Sequence, residues 1–223
     1  MEVPDNTYVG IPARFAALVL CCVPLAVAQS SEQWDLGADI GYGWYHNGTI
    51  FSPDGTAKAG IRNRFAAGIF LGDDFSKYVS AEIRYLYHDG HPFLTYNGVT
   101  TDIQGQSMAL TYDMLFHFQP RESRVRWYLL GGMGGKDYVI AGPEPFPQPA
   151  PQVASLTTND VWKVVFAAGG GVKFRIRDHL VARGELLNYI TTFPRQQTVP
   201  APHNTARGVF VEFTPMFGLS YTF

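Results

Sequence analysis

The chain has little charge, little cysteine and no long apolar run. Charged residues make up 16% of its 223 residues and the formal net charge is −2, which excludes a basic surface for holding nucleic acid. Its two cysteines, Cys21 and Cys22, fall in an amino-terminal apolar segment. Removal of that segment would exclude disulfides and thiol chemistry from the mature chain. That segment spans about 14 residues and contains Pro24, whereas a membrane-spanning helix needs roughly 20.

The amino-terminal segment has the features of a targeting signal. Arg14 precedes the apolar run, and Ala26-Val27-Ala28 has the small-x-small form of a cleavage site. We therefore predict a cleavable signal peptide at residues 1–28 and an exported domain at residues 29–223, with Gln29 as the first mature residue.

Alternation of apolar and polar residues runs through the rest of the chain. About eight alternating segments follow one another, and none of them keeps a helical period. The first runs from Trp34 to Tyr45 and sets large apolar side chains against aspartate and glycine. The last runs from Glu212 to Phe223 and keeps the alternation to its final aromatic residue. A period of two is the mark of strands, so the chain is predicted to be all-β.

The connections between these segments also alternate. Short polar links such as QPRESR are interleaved with long ones near residues 47–58, 89–106, 141–160 and 194–207. Tight turns at one end and long loops at the other are typical of an antiparallel up-and-down barrel whose ends face different environments.

Alternation does not by itself say which face points inward, because a soluble lipocalin-like barrel has the same binary pattern. The segments reach about ten residues or more, the length that a tilted strand needs to cross a bilayer. Their apolar face is rich in rings and aliphatic side chains, and their polar face is rich in Gly, Ala, Ser and Thr, which suits a crowded lumen. We therefore predict an eight-stranded transmembrane barrel with the polar face inside.

Charged side chains of both signs lie on the predicted inner face. An eight-stranded lumen is just filled by its side chains, so these groups are expected to pair with one another and to leave no wide water channel. The predicted interior charges are Arg62, Arg64, Glu82, Arg84, Asp113, Lys173, Arg183, Glu185 and Glu212.

The eight segments, the loop asymmetry and the ending FGLSYTF resemble the small outer-membrane β-barrels of Gram-negative bacteria, the OmpA transmembrane domain and OmpX-like group. The resemblance covers about residues 33–223. It implies short periplasmic turns, long extracellular loops, a place in the bacterial outer membrane and contact with its lipid and lipopolysaccharide. It also implies that the barrel assembly machinery reads the final strand, with Phe217, Leu219, Tyr221 and Phe223 as the assembly signal.

Three motifs invite other interpretations. GGMGGK at 131–136 lacks the first glycine and the Ser or Thr of a phosphate-binding loop, so it is interpreted as strand. His88 and His91 bracket Asp89, but two histidines do not define a metal site. The Pro-rich stretch in the 141–160 loop predicts an extended segment that either meets a surface partner or serves as a spacer.

No catalytic, cofactor-binding or metal-ligating residues are assigned. The leading hypothesis is a non-enzymatic envelope barrel with a structural role or a surface-interaction role through its extracellular loops. A narrow pore for small solutes and a lipid-modifying barrel enzyme remain as alternatives. For the enzyme, Ser107 and His117 share a strand face but lie about ten residues apart, too far to touch at roughly 3.3 Å per residue.

Overall fold

The computed structural model describes residues 34–52, 55–148, 150–192, 197–202 and 209–223. The predicted signal peptide at 1–28 lies outside the described residues. Among the described residues, no helix is long and apolar enough to cross a membrane.

Fourteen strands make up the described chain. They are β1 (Trp34–Tyr45), β2 (Gly48–Ser52), β3 (Gly55–Ile61), β4 (Arg64–Asp73), β5 (Val79–Asp89), β6 (Pro92–Tyr96), β7 (Val99–Asp102), β8 (Gly105–His117), β9 (Val125–Ile140), β10 (Ala154–Leu156), β11 (Val161–Arg177), β12 (Leu180–Thr192), β13 (Thr198–Pro200) and β14 (Val209–Thr222).

Eight of these strands close into a barrel in the order β1-β14-β12-β11-β9-β8-β5-β4. All neighbours are antiparallel, and each barrel strand pairs with the next barrel strand along the chain. Closure comes from the pairing of β1 with β14, in which Leu36 is opposite Tyr221 and Ile40 is opposite Phe217. The predicted eight-stranded antiparallel up-and-down barrel is therefore confirmed.

The two faces of the barrel strands differ as the alternation predicts. On β1, Leu36 and Ile40 are exposed on the outside, whereas Asp35 and Asp39 are buried inside. In a water-soluble protein, charged side chains lie outside and apolar ones inside. This barrel exposes apolar side chains on its outer face all the way around, because alternate side chains of a strand point to opposite faces. The outer surface is apolar, and the lumen holds the charged side chains together with a cluster of buried apolar ones that includes Leu86, Leu115 and Met216.

The two ends of the barrel are built differently. At one end, short turns at 74–78, 118–124 and 178–179 connect the strands. At the other end, the long connections contain the six remaining strands, which form a four-stranded sheet (β2-β3-β6-β7) and a two-stranded sheet (β10-β13). An apolar cluster joins both sheets, and it includes Ile50, Leu94, Val153 and Leu156. We call these loop segments the cap. The sequence predicted long loops here, and the structure shows that they are folded.

Candidate functional site: the barrel interior and its two ends

The strand order decides which inner side chains can meet. In a ring of eight strands, β5 and β12 lie on opposite sides, as do β1 and β9. A long side chain on β5 can therefore reach a partner on β12 only across the lumen, and contacts of this kind show that the lumen is filled.

A bidentate ion pair crosses the middle of the barrel. Arg84 of β5 donates from Nη1 to Glu185 Oε2 at 2.8 Å and from Nη2 to Glu185 Oε1 at 2.9 Å. The same guanidinium donates to Asp39 Oδ2 at 2.7 Å and to Glu82 Oε2 at 3.1 Å, and its Nε lies 3.5 Å from Asp113 Oδ2. All five side chains are fully buried. We call this contact, which spans the lumen from β5 to β12, the crossbar.

Arg183 extends this arrangement on the turn side of the crossbar. Its Nη2 donates to both carboxylate oxygens of Glu82 at 3.1 Å and to Glu185 Oε1 at 2.8 Å. Tyr128 donates its hydroxyl hydrogen to Glu185 Oε1 at 2.5 Å. The Arg183 guanidinium lies 3.9 Å from the centre of the Phe70 ring, so part of its desolvation is offset by the ring's π face. We call the groups around Arg84 and Arg183 the central network.

A second network lies nearer the cap. The carboxylate of Glu212 lies against Lys136 Nζ through its Oε2 and against His88 Nε2 through its Oε1. The ammonium group of Lys136 is also surrounded by aromatic rings, with centroids at 5.7 Å for Tyr45, 5.3 Å for Tyr138 and 5.6 Å for Tyr189. Each ring contributes a cation–π attraction, and the carboxylate supplies the opposite charge. We call these groups the loop-side network; like the crossbar, they lie inside the lumen.

At the turn end the interior becomes less crowded. Lys173 Nζ donates to Glu82 Oε1 at 3.0 Å and to Asp35 Oδ2 at 3.1 Å, which ties the central network to β1. Close by, Arg126 Nη1 donates to Asp74 Oδ2 at 2.6 Å.

A serine and a histidine also meet near the turn end. Ser80 Oγ lies 2.8 Å from His117 Nε2, and both residues are buried. The pairing of β5 with β8 brings them together, because Ser80 is opposite Leu115 and Val79 is opposite Phe116. Among the described residues, His117 Nδ1 has no hydrogen-bond partner, whereas a catalytic base needs a group that holds its second nitrogen.

Seven of the nine predicted interior charges lie buried in the lumen, and two lie elsewhere. The seven are Glu82, Arg84, Asp113, Lys173, Arg183, Glu185 and Glu212. Arg62 falls between β3 and β4, where it pairs with Asp102, and Arg64 begins β4 and pairs with Asp89. Their side chains are 42% and 39% exposed, so the prediction of interior burial was wrong for both. The cause is that β4 begins at residue 64, at the mouth of the barrel.

Several inner groups were missing from the predicted set. Asp39 and Asp35 follow the alternation of β1 and could have been found by it. Lys136 is reached from Arg126 by counting in twos along β9, but the glycines between them hide the two faces. No signal in the sequence placed Ser80 beside His117, because that contact depends on the register between strands.

The other predicted positions are placed as follows. Phe217, Leu219, Tyr221 and Phe223 are all exposed on the outer face of the closing strand or just after it. GGMGGK forms part of β9, which agrees with its interpretation as strand. His88 points into the lumen, whereas His91 lies near Asp89 and Asp102 in the cap. Among the described residues, no group of three or more metal-ligating side chains is placed to hold an ion.

Comparison with known proteins places this geometry in a family. A family model described as the outer membrane protein beta-barrel domain matches residues 13–213. The chain belongs to the outer membrane protein β-barrel family. A comparison with curated protein sequences found no match.

Two solved structures of outer-membrane barrel proteins have a similar fold. Neisserial surface protein A is 12% identical, with a TM-score of 0.52 over 85% of this chain and 97% of that one. A major outer membrane protein from Thermus thermophilus is 11% identical, with a TM-score of 0.53 over 87% of this chain and 100% of that one. At this identity the likeness concerns the fold alone.

Membership in the outer membrane protein β-barrel family confirms the predicted location in the bacterial outer membrane. The apolar outer face of the barrel is the surface that contacts lipid, and the closed sheet leaves no unpaired strand edge within the hydrocarbon. The short turns face the periplasm and the cap faces outward.

Proposed function

We propose that this protein is a closed, non-enzymatic barrel of the outer membrane that holds a folded cap on the cell surface for contact with a partner. The observation that carries the proposal is the crossbar between Arg84 and Glu185, which spans the lumen from β5 to β12. A barrel closed by its own ion pairs acts as a support for what it displays.

The burial of the inner charges argues against a pore. A conducting channel keeps its charged groups hydrated, whereas Arg84, Glu185 and Asp39 have no exposed side-chain surface. Lys136 and Glu212 close the lumen again on the loop side. A solute would have to break both networks to pass.

The cap argues for a surface role. Long loops usually run over a surface without a core of their own, but these loops enclose an apolar cluster that includes Ile50 and Leu94. The Pro-rich part of the 141–160 loop carries Phe146, which is 98% exposed. An aromatic side chain held fully in water is a candidate anchor for a partner, because its burial would be favourable.

The enzyme alternative has one supporting contact, between Ser80 and His117. The pair is buried, and Nδ1 of the histidine lacks an orienting partner. A nucleophile needs an oriented base and space for a substrate carbonyl. The pair is better explained as a hydrogen bond that satisfies two inner polar groups.

We also propose that the outward aromatic residues of the closing strand address the chain to the barrel assembly machinery. The residues are Phe217, Leu219, Tyr221 and Phe223. They share one face of the strand that must pair with β1 to close the sheet, and Phe223 exchanges backbone hydrogen bonds with Trp34 at 2.9 Å. The outer face is also expected to contact lipopolysaccharide near the cap.

Planar-bilayer recording on the purified protein tests the closed lumen. The wild type is expected to give no steady current, because both networks occupy the lumen. Steady single-channel current with ion selectivity in the wild type would overturn the proposal and favour the narrow pore.

The surface role is tested on cells that express the protein. Phe146→Asp is expected to reduce their adhesion to surfaces or to one another, without changing the heat-dependent gel mobility of the barrel. Thr158→Asp, at an exposed position in the same loop, serves as the matched control. If cells with the wild type, with Phe146→Asp and without the protein adhere equally, the proposed surface role is wrong.

A further inference from the structure

The barrel opens at its periplasmic end into a cavity of about 130 Å³. Strand ends and turns line it, and its basic residues are Arg124, Arg126, Lys173 and Arg175. A single ordered water needs roughly 10–15 Å³ of such space, so the cavity has room for an anion with several oxygens.

Arg126 is the least satisfied group in this cavity. The residue is only 6% exposed, and its Nη1 is bound to Asp74. Its Nε and Nη2 have no hydrogen-bond partner within the part of the chain that the structure describes. Buried donors of a charged group are costly to leave unpaired, so an acceptor that enters the cavity would complete this guanidinium.

The other charges of the cavity leave positive charge in excess. Its three carboxylates are Asp35, Asp74 and Asp178, against four basic side chains. Asp35 and Asp74 are already bound to Lys173 and Arg126. Arg124 is exposed and lines the mouth of the cavity, and its guanidinium lies 5.1 Å from the centre of the outward-facing Phe174 ring.

We propose that this cavity binds a phosphate group, with Arg126 and Arg124 as its direct donors and Lys173 as a nearby positive charge. Guanidinium groups suit phosphate because their planar N–H donors match its oxygens. Two sources share this chemistry, a phospholipid headgroup of the periplasmic leaflet and a free phosphate of the periplasm. The site lies at the opposite end from the cap and does not depend on the surface role proposed above.

The test is a titration of the full purified protein with inorganic phosphate, in a maltoside detergent that contains no phosphate. NMR amide shifts of Ser123 and Thr222, which line the cavity, report binding, and chloride at equal ionic strength controls for screening. We expect saturable shifts in the wild type. The affinity for phosphate obtained from them should fall by roughly tenfold or more in Arg126→Gln and in Arg124→Gln, because each loses a charge-assisted donor.

Arg177→Gln is the matched control, since Arg177 is an exposed arginine at the same end of the barrel that does not line the cavity. Arg124 is exposed too, so its substitution keeps the test valid if Arg126→Gln fails to fold. The proposal is overturned if the shifts do not saturate, if chloride reproduces them, or if Arg177→Gln weakens them as much as Arg124→Gln does.

Repeating the titration in phospholipid nanodiscs separates the two sources. An unchanged titration assigns the site to free phosphate. If added phosphate no longer acts, and the Ser123 and Thr222 signals already stand at their bound positions in the wild type but not in Arg124→Gln, the headgroup is the ligand. Loss of the response without that displacement contradicts the proposal.

Discussion

The barrel buries charged side chains as well as apolar ones, whereas the cap encloses an apolar cluster, although both regions have the same alternating pattern. In the barrel, Arg84 is buried and Ile40 is exposed. In the cap, Leu94 is buried, while Thr100 is exposed. Both regions are built from strands of period two, so the difference comes from the surroundings. The barrel's outer face meets hydrocarbon, and the cap's outer face meets water.

This difference changes what each region loses when a buried side chain is removed. Each paired charge inside the barrel depends on its partners to offset its desolvation. The interior of the cap is stabilised by burial of apolar surface, in proportion to the area that each residue removes from water. Removing an inner charge should therefore affect several partners at once, whereas removing an inner apolar group should leave a local cavity.

The largest expected effect is that of Arg84→Ala. It would leave Asp39 without its bonded cation and Glu185 with Arg183 as its remaining guanidinium, at a cost of about 3–5 kcal/mol in the free energy of unfolding. Urea unfolding of the purified protein in lipid vesicles measures it. Arg62→Ala, which breaks a half-exposed pair with Asp102, is the control and should cost about 0–1 kcal/mol.

Current measured on the same variant sharpens this result. The lumen would be hydrated if Arg84→Ala changed the stability little and if both proteins passed an ion current that differed between the wild type and the variant. The crossbar would then be a channel lining, and the barrel interior would not contrast with the cap.

The next effect is that of Leu94→Ala in the cap. Removing a fully buried leucine is expected to cost about 2–5 kcal/mol, and the loss should be confined to the cap. Hydrogen exchange should then show faster exchange in β2, β3 and β6, with the barrel strands still protected. Val99→Ala, on the exposed face of β7, should leave both regions unchanged. Equal loss of protection in the barrel strands would show that the two regions unfold as one.

A smaller difference in stability is expected between alanine substitutions at two glycines of β9. A Cβ at Gly134 would lie 1.9 Å from the backbone oxygen of Leu110, so Gly134→Ala must shift β9 away from β8 and should cost about 1–3 kcal/mol. A Cβ at Gly131 would meet nothing within 4 Å, so Gly131→Ala should change stability very little. Urea unfolding of the two variants in vesicles compares them, and equal stability would mean that the strands adjust freely.

Most of the eight barrel strands were predictable because they are long and keep their alternation through ten or more residues, although the glycines of β9 obscure its two faces. The strands of the cap were not, since they have only three to seven residues and are separated by turns. A segment of that length carries too few alternations to distinguish strand from loop. The folding of the cap depends on contacts between separate loops, such as Leu94 with Leu156 in one cluster.

The site was predictable in its composition and not in its contacts. Alternation places Arg84 and Glu185 inside, but their pairing requires the strand order, which puts β5 opposite β12. The same holds for Ser80 and His117, whose contact depends on the register between β5 and β8 and not on position along one strand. Arg62 was misassigned because the alternation gives a face and does not tell where the barrel ends.

The smallest expected change in stability comes from replacing a phenylalanine by aspartate on the outer surface of the barrel, and the same replacement on the outer surface of the cap is the comparison. Phe223 and Phe51 are both well exposed, at 59% and 69%, but Phe223 follows the closing barrel strand and Phe51 lies on β2 of the cap. An acidic residue near the membrane interface costs only about 0–1 kcal/mol, so Phe223→Asp should unfold in urea almost like the wild type.

If the assembly machinery reads the outward aromatic residues, Phe223→Asp should nevertheless accumulate unfolded precursor in cells, seen as unshifted mobility of unheated samples. Phe51→Asp should assemble at the normal rate, because its side chain meets water and is not part of the closing strand. Equal assembly of both variants would mean that Phe223 contributes lipid contact alone, and that the contrast between barrel and cap does not extend to assembly.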